Sequence, residues 1–197
     1  MPPRNLTPVQ GEYYHVYNRG ALKMTLYLSA GAYDLFMRLV AKYARKFRIS
    51  VIAICLMPNH FHLVVRVDEG GQLEMFMQML CGVYSRKVNV AQRRTGTIFE
   101  GRYHIRHVKD DAYFKTLCRY VHRNPVAAAL VDHPLKWKYS NYAEVMGTRA
   151  LLHGDYQAII TSFGGREEYE AFVLLEVEPS KNLDENLAQD LAEMHVL

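Results

Sequence analysis

The chain has 197 residues, half of them hydrophobic and 22% charged, a balance that excludes a disordered chain as a whole and suits one folded domain with an appendage, whose acidic end is a candidate for disorder. Its net charge of +4 is uneven: residues 1–164 carry 22 basic against 11 acidic side chains, whereas residues 165–197 carry 2 against 9. A basic body that ends in an acidic segment points to a polyanionic partner, nucleic acid first, with a plain solvated surface as the bland alternative. Cys55, Cys81 and Cys118 lie far apart in apolar stretches, without the paired spacing of a zinc or redox motif, and read as buried thiols in a reducing compartment. The opening residues hold no signal-peptide core, and the apolar run 51–65 is cut by Pro58, Asn59 and His60 before it reaches spanning length. The expectation is a cytoplasmic protein with no membrane partner.

Residues 13–18 are aromatic and β-branched and predict a first strand; residues 31–47 then show apolar positions at helical spacing. Runs 49–57 and 61–67 are β-branched and separated by Pro58-Asn59, which predicts a hairpin. A helix over 73–90 follows, then a basic loop at residues 93–96 and a short strand over 103–108. Asp110-Asp111 can cap a helix that runs to about residue 124. The order β-α-β-β-α-β-α predicts an α+β fold, a ferredoxin-like or RRM-like antiparallel sheet with helices packed on it. Short helices are expected around 140–146, 156–163 and 166–175. The predicted organisation is a catalytic domain over 1–145 and a helical C-terminal extension over 146–197 with an acidic tail.

Two features carry chemistry. Histidines at i, i+2 on a strand share a face, so His60 and His62 converge while Phe61 points into the core. Two imidazoles on one face make half a metal site, here next to a turn and expected at a sheet edge; the alternative is a pair of structural histidines. Tyr120 and Asn124 stand one helical turn apart, so a nucleophile and an oxygen ligand would meet at one site. A phenol attacks phosphorus only when its proton is removed and the phosphate charge is neutralised. The competing reading places Tyr120 in the core with Tyr113, Leu117 and Val121, and makes Asn124 the N-cap of a new helix that has Pro125 at its first position.

The run from Met57 through Pro58, Asn59, His60, Phe61 and His62 to Val65, followed by Tyr120-Val121-His122-Arg123-Asn124-Pro125-Val126, resembles the REP-associated tyrosine transposases of the HUH superfamily. Tyr14-His15-Val16-Tyr17-Asn18-Arg19 and Gly101-Arg102-Tyr103 also look like that family, so the similarity covers about residues 10–145. The resemblance implies that His60 and His62 bind a divalent cation, that Tyr120 is the nucleophile and that Asn124 supplies a third ligand. Imidazole favours manganese over magnesium, which leaves Mg or Mn open. It further implies cleavage and rejoining of single-stranded or hairpin DNA through a 5′-phosphotyrosine, by a monomer or a homodimer. Arg86, Lys87, Arg93, Arg94, Arg102, Arg106 and Lys109 are candidate phosphate contacts, and His104, Arg119 and Arg123 are candidates to approach the reacting phosphate. Two rival readings stand beside this one, a hairpin-DNA-binding regulator that does not cut and a metal-dependent phosphodiesterase that activates water.

Overall fold

The computed structural model describes residues 6–149 and 154–175; the acidic segment 177–197 lies outside them. In chain order the elements are β1 (Tyr13–Arg19), α1 (Ala30–Lys46), β2 (Ile49–Met57), β3 (His60–Val67), α2 (Leu73–Ala91), β4 (His104–His107), α3 (Asp111–Ala127), α4 (Tyr142–Val145), α5 (Gln157–Phe163) and α6 (Arg166–Leu174). One sheet runs β2-β3-β1-β4 with every neighbouring pair antiparallel. Connectivity explains the order. The Pro58-Asn59 turn joins β2 to β3 as a hairpin, while α1 and α2 each carry the chain past a strand and pack together on one face of the sheet. This is the ferredoxin-like α+β arrangement predicted from the element order.

Strand alternation sorts the side chains. Tyr14 and Val16 of β1 and Phe61, Leu63, Val65 and Val67 of β3 face α1 and α2, where they bury Phe36, Val40, Phe76, Leu80 and Tyr84. The opposite face carries His15, Tyr17, His60 and His62 and receives α3, which together with α5 and α6 builds a second core from Leu117, Cys118, Val121, Ile159, Tyr169 and Val173. In β2 the register shifts between Val51 and Ala53. That bulge sends Ile52 and Ala53 to the α3 side in succession and then restores alternation, so Ile54 and Leu56 return to the first core. Cys55 and Cys118 are buried and Cys81 is partly covered, all three as free thiols. Among the described residues no helix is long and apolar enough to cross a membrane.

The outer edge of β2 is closed by the irregular segment 137–141. Leu56 N–H donates to the Tyr139 carbonyl at 2.9 Å and Asn141 N–H to the Ile54 carbonyl at 3.2 Å; the Trp137 indole N–H donates to the Leu56 carbonyl at 3.0 Å. The Asn141 side chain completes the seal. Its Oδ1 accepts from Ile54 N–H at 2.8 Å and its amide nitrogen donates to the Ile52 carbonyl at 2.9 Å. An unprotected strand edge is an aggregation liability, and here side-chain bonds to the bulged Ile52 and to Ile54 just beyond it remove it. Asn141→Ala strands the Ile54 N–H, the Ile52 C=O and the His122 Nε2–H at once. The expected loss is about 3 kcal/mol of stability, roughly 6–12 °C in Tm for a chain of this size; a thermal melt within 2 °C of wild type would contradict this account of the edge.

Candidate active site

His60 and His62 share one face of β3, their ring centroids 5.0 Å apart, with Phe61 fully buried on the other side. The expected sheet edge is corrected by the strand order: β3 lies between β2 and β1, and of the pair only His60, at the start of this interior strand, is partly exposed. His60 is half-buried beside the turn. Its Nδ1 lies 2.7 Å from Asn59 Oδ1, an acceptor, so the proton sits on Nδ1 and Nε2 presents its lone pair. His62 is fully buried. Its Nε2 stands 3.3 Å from the Tyr120 hydroxyl, and its Nδ1 stands 3.0 Å from Nε2 of His15.

The tyrosine arrives on α3 for local reasons. Asp110 caps the helix by accepting from Tyr113 N–H at 2.7 Å, and Tyr113, Leu117 and Val121 form the buried stripe. Tyr120 lies on the flank of that stripe, its ring edge-on to His62 at 5.0 Å. Burial pushes its phenol pKa above the ordinary value, and the Asn124 amide beside it opposes the shift. The alternative reading of Asn124 as an N-cap is overturned, because α3 continues through Asn124 and Pro125 to Ala127. Pro125 is tolerated since it lies in the last turn, where it removes only the bond that Val121 C=O would have accepted. Asn124 therefore keeps helical geometry and stays on the Tyr120 side, its amide nitrogen buried without a hydrogen-bond partner.

The sequence of a family described as "Transposase IS200 like" matches residues 10–124 of this chain. The chain belongs to that family. By family, then, this IS200-like transposase is an enzyme of DNA transposition, and DNA is its class of partner. No curated protein matches the chain in sequence. Among solved structures, the chain is similar to a REP-associated tyrosine transposase bound to a REP hairpin, with 14% identity over 79% of this chain and 93% of that one, at a TM-score of 0.65. A transposase-like protein from Deinococcus radiodurans shows 16% identity over 59% of this chain and 92% of its own, with a TM-score of 0.43. At 14% identity the first likeness bears on the fold alone, which agrees with the antiparallel sheet and packed helices described above.

Other predicted site residues of the transposase are scattered. Arg106 on β4 is paired in register with His15 and shares its face of the sheet. His104, exposed, stacks on Tyr17 with ring centroids 4.8 Å apart. Arg86 and Lys87 are exposed on α2, which covers the opposite face, and Arg93 and Arg94 follow that helix in the loop. Arg102 lines a recess with Asn18, Met77 and Tyr103, and Lys109 lines a cleft of about 580 Å³ with Asp110, Asp111 and Asp155 at the start of α3. Arg119 and Arg123 turn away from His62: Arg119 Nε donates to Phe172 O at 2.8 Å, and Arg123 donates to Val173 O at 3.1 Å and Leu175 O at 2.8 Å. They cap the C-terminal carbonyls of α6, where positive charge is favoured.

Between those two arginines His122 is fully buried. Its Nε2–H donates to Asn141 Oδ1 at 2.8 Å, which leaves Nδ1 to accept from the Tyr169 hydroxyl of α6. Reasoning from sequence gave no role to His15, His122 and Asn141, although the first two lie in the runs that resemble the family; their partners are distant along the chain. Burial lowers His122 to about 4, and burial, aided by the charges of Arg106 and His104, lowers His15 to about 3. Both rings stay neutral in the folded protein while the unfolded chain takes up their protons below about pH 6.5. Stability from this source is complete above that pH and is lost on acidification, with a slope that approaches about 2.7 kcal/mol per pH unit when both contribute. Urea denaturation followed from pH 7.5 to 5 should show the fall beginning near pH 6.5; a flat profile down to pH 5 would contradict it.

Proposed function

We propose that the chain is a REP-associated type of tyrosine transposase, a single-stranded DNA endonuclease and strand transferase in which Tyr120 is the nucleophile. The observation that carries this reading is the 3.3 Å approach of the Tyr120 hydroxyl to His62 Nε2, with His60 on the same face and the Asn124 amide alongside. A phenol whose proton is held by burial is inert until a cation or base assists it, and the assistance is aimed at its oxygen.

The donor set fits a divalent cation. His60 presents Nε2 and His62 Nε2 faces the Tyr120 hydroxyl; among the described residues no three His, Cys, Asp or Glu side chains gather as a metal site, so a third ligand has to come from another kind of donor. Asn124, one turn beyond Tyr120 on the same side of α3, would supply its amide oxygen as the third ligand. Two imidazoles and an amide oxygen suit manganese better than magnesium. When bound, the cation would act as a Lewis acid on a non-bridging phosphate oxygen and favour the phenolate.

The chain's own residues do the rest. Tyr120 Oη attacks phosphorus in line with the P–O3′ bond; the new O–P bond forms as P–O3′ breaks, and the departing 3′ oxygen takes a proton. The 5′ end is left esterified to Tyr120, so the phosphodiester energy is retained. A second 3′-OH then attacks the phosphotyrosine, joins the strands and returns the phenol, without ATP. Packing of α3 against the sheet holds the phenol against rotation during both steps. Candidate phosphate contacts on the same face begin with Arg106, and the single strand or hairpin flank would be held by charge and by aromatic surfaces such as His104 over Tyr17.

The test uses hairpin DNA with a single-stranded flank, labelled at its 3′ end, incubated with manganese and either wild-type or Tyr120→Phe protein. The expected result is an adduct that survives denaturing electrophoresis with wild type and is undetectable with the variant. Cleavage by both proteins without adduct would make the enzyme a water-activating phosphodiesterase. Binding without cleavage by either would make it a hairpin-binding regulator.

A further inference from the structure

We propose that His15 is a positioning residue for the metal site, an acceptor that holds His62 in the tautomer able to ligate through Nε2. The inference rests on the proposed metal-dependent reading and adds a residue to it. His15 lies on β1 and His62 on β3, two strands paired so that Tyr17 stands opposite His62 and His15 one diagonal step away. The rings stack at 5.3 Å between centroids with planes 15° apart, and both are fully buried. His15 Nε2 meets His62 Nδ1 at 3.0 Å. In that contact one nitrogen donates and the other accepts, and the direction decides what His62 offers on its far side.

If His62 Nδ1 carries the proton and donates to His15, then Nε2 is a bare lone pair, 3.3 Å from the Tyr120 hydroxyl. If the direction reverses, Nε2 carries a hydrogen aimed at the cation's place and His62 is no ligand. Metal-ligating histidines are commonly fixed in this way, through a hydrogen bond from the ring nitrogen that does not touch the metal. His60 has its own device for the same end, since Asn59 Oδ1 accepts from its Nδ1 at 2.7 Å. The site thus holds two imidazoles whose Nδ1 atoms each meet a separate partner, one from the turn and one from the neighbouring strand. Tyr17 packs on His15 at 4.8 Å between centroids.

Two readouts decide the matter, the first on unmodified, metal-free protein. Long-range ¹H–¹⁵N correlation at pH 7.5, with His62→Gln for assignment, should show His62 protonated at Nδ1; protonation at Nε2 overturns the proposal. The second is manganese affinity without DNA, by calorimetry, for wild type, His15→Phe, His15→Gln and His62→Ala. Phe keeps the packing and removes the acceptor, so affinity should fall roughly 10–100-fold. Gln places an amide oxygen near the position of Nε2 and should restore affinity to within about threefold of wild type, which a merely structural role would not predict. Equal affinity in wild type and His15→Phe overturns the role of His15 alone. Absence of manganese binding in wild type overturns the metal reading itself, and the His15 role with it.

Discussion

The site depends first on the register between β1 and β3. Side chains alternate along a strand, so the same pairing that sends Tyr14, Val16, Phe61 and Leu63 into the core beneath α1 and α2 also sends His15, Tyr17, His60 and His62 to the other face. A slip of one residue would exchange the two sets, burying imidazoles among aromatic rings and exposing Phe61. The apolar face therefore enforces the chemistry of the polar one. Burial of Phe36, Phe61, Phe76 and Tyr84 is worth about 2–3 kcal/mol for each side chain, far more than the hydrogen bonds between the rings contribute.

The second constraint acts on α3 from behind. Arg119, His122 and Arg123 surround Tyr120 along the helix, and each is committed to a partner away from the reaction centre: the carbonyls that end α6, the Tyr169 hydroxyl and the Asn141 side chain. Asn141 in turn bonds to the backbone at the β2 bulge, at Ile52 and Ile54. The helix that carries Tyr120 is thereby referred to the edge strand and to the C-terminal helices, so its pitch and rotation do not depend on substrate. Effective catalysis by position requires such rigidity, since an error of about 1 Å at the attacking atom costs a large share of the rate.

Local patterns carried most of the fold and half of the site. Alternation, the Pro58-Asn59 turn and the Asp110 cap leave little freedom for β2, β3 and α3, and the observed bounds fall within a few residues of those expected. The i, i+2 histidines and the i, i+4 spacing of Tyr120 and Asn124 are likewise local. Pro125 misled because its ordinary effect is to end a helix at the residue before it, whereas in a last turn the lost bond costs little. His15 and Asn141 were not legible because their meaning is created by partners 47 and up to 89 residues away. Arg119 and Arg123 looked like phosphate contacts for the same reason. An arginine on the Tyr120 helix is recognised as a helix cap only after α6 has been docked against it.

The charge distribution follows the same division. Arginines on the body do two different kinds of work, and position in the fold separates them. Those facing carbonyls or carboxylates within the chain, such as Arg66 between Asp68 and Asp155 and Arg149 against buried Glu144, are engaged in holding loops to the sheet. Removing one partner of Glu144, which is 1% exposed, leaves a buried carboxylate uncompensated, a cost well above that of a surface pair. Arg86, Lys87 and Arg93 stand exposed instead, and long-range attraction to a polyanion needs only such solvated charge. The excess of basic residues over the first 164 positions is thus partly architectural, and the share left for DNA is smaller and more localised than the net charge alone suggests.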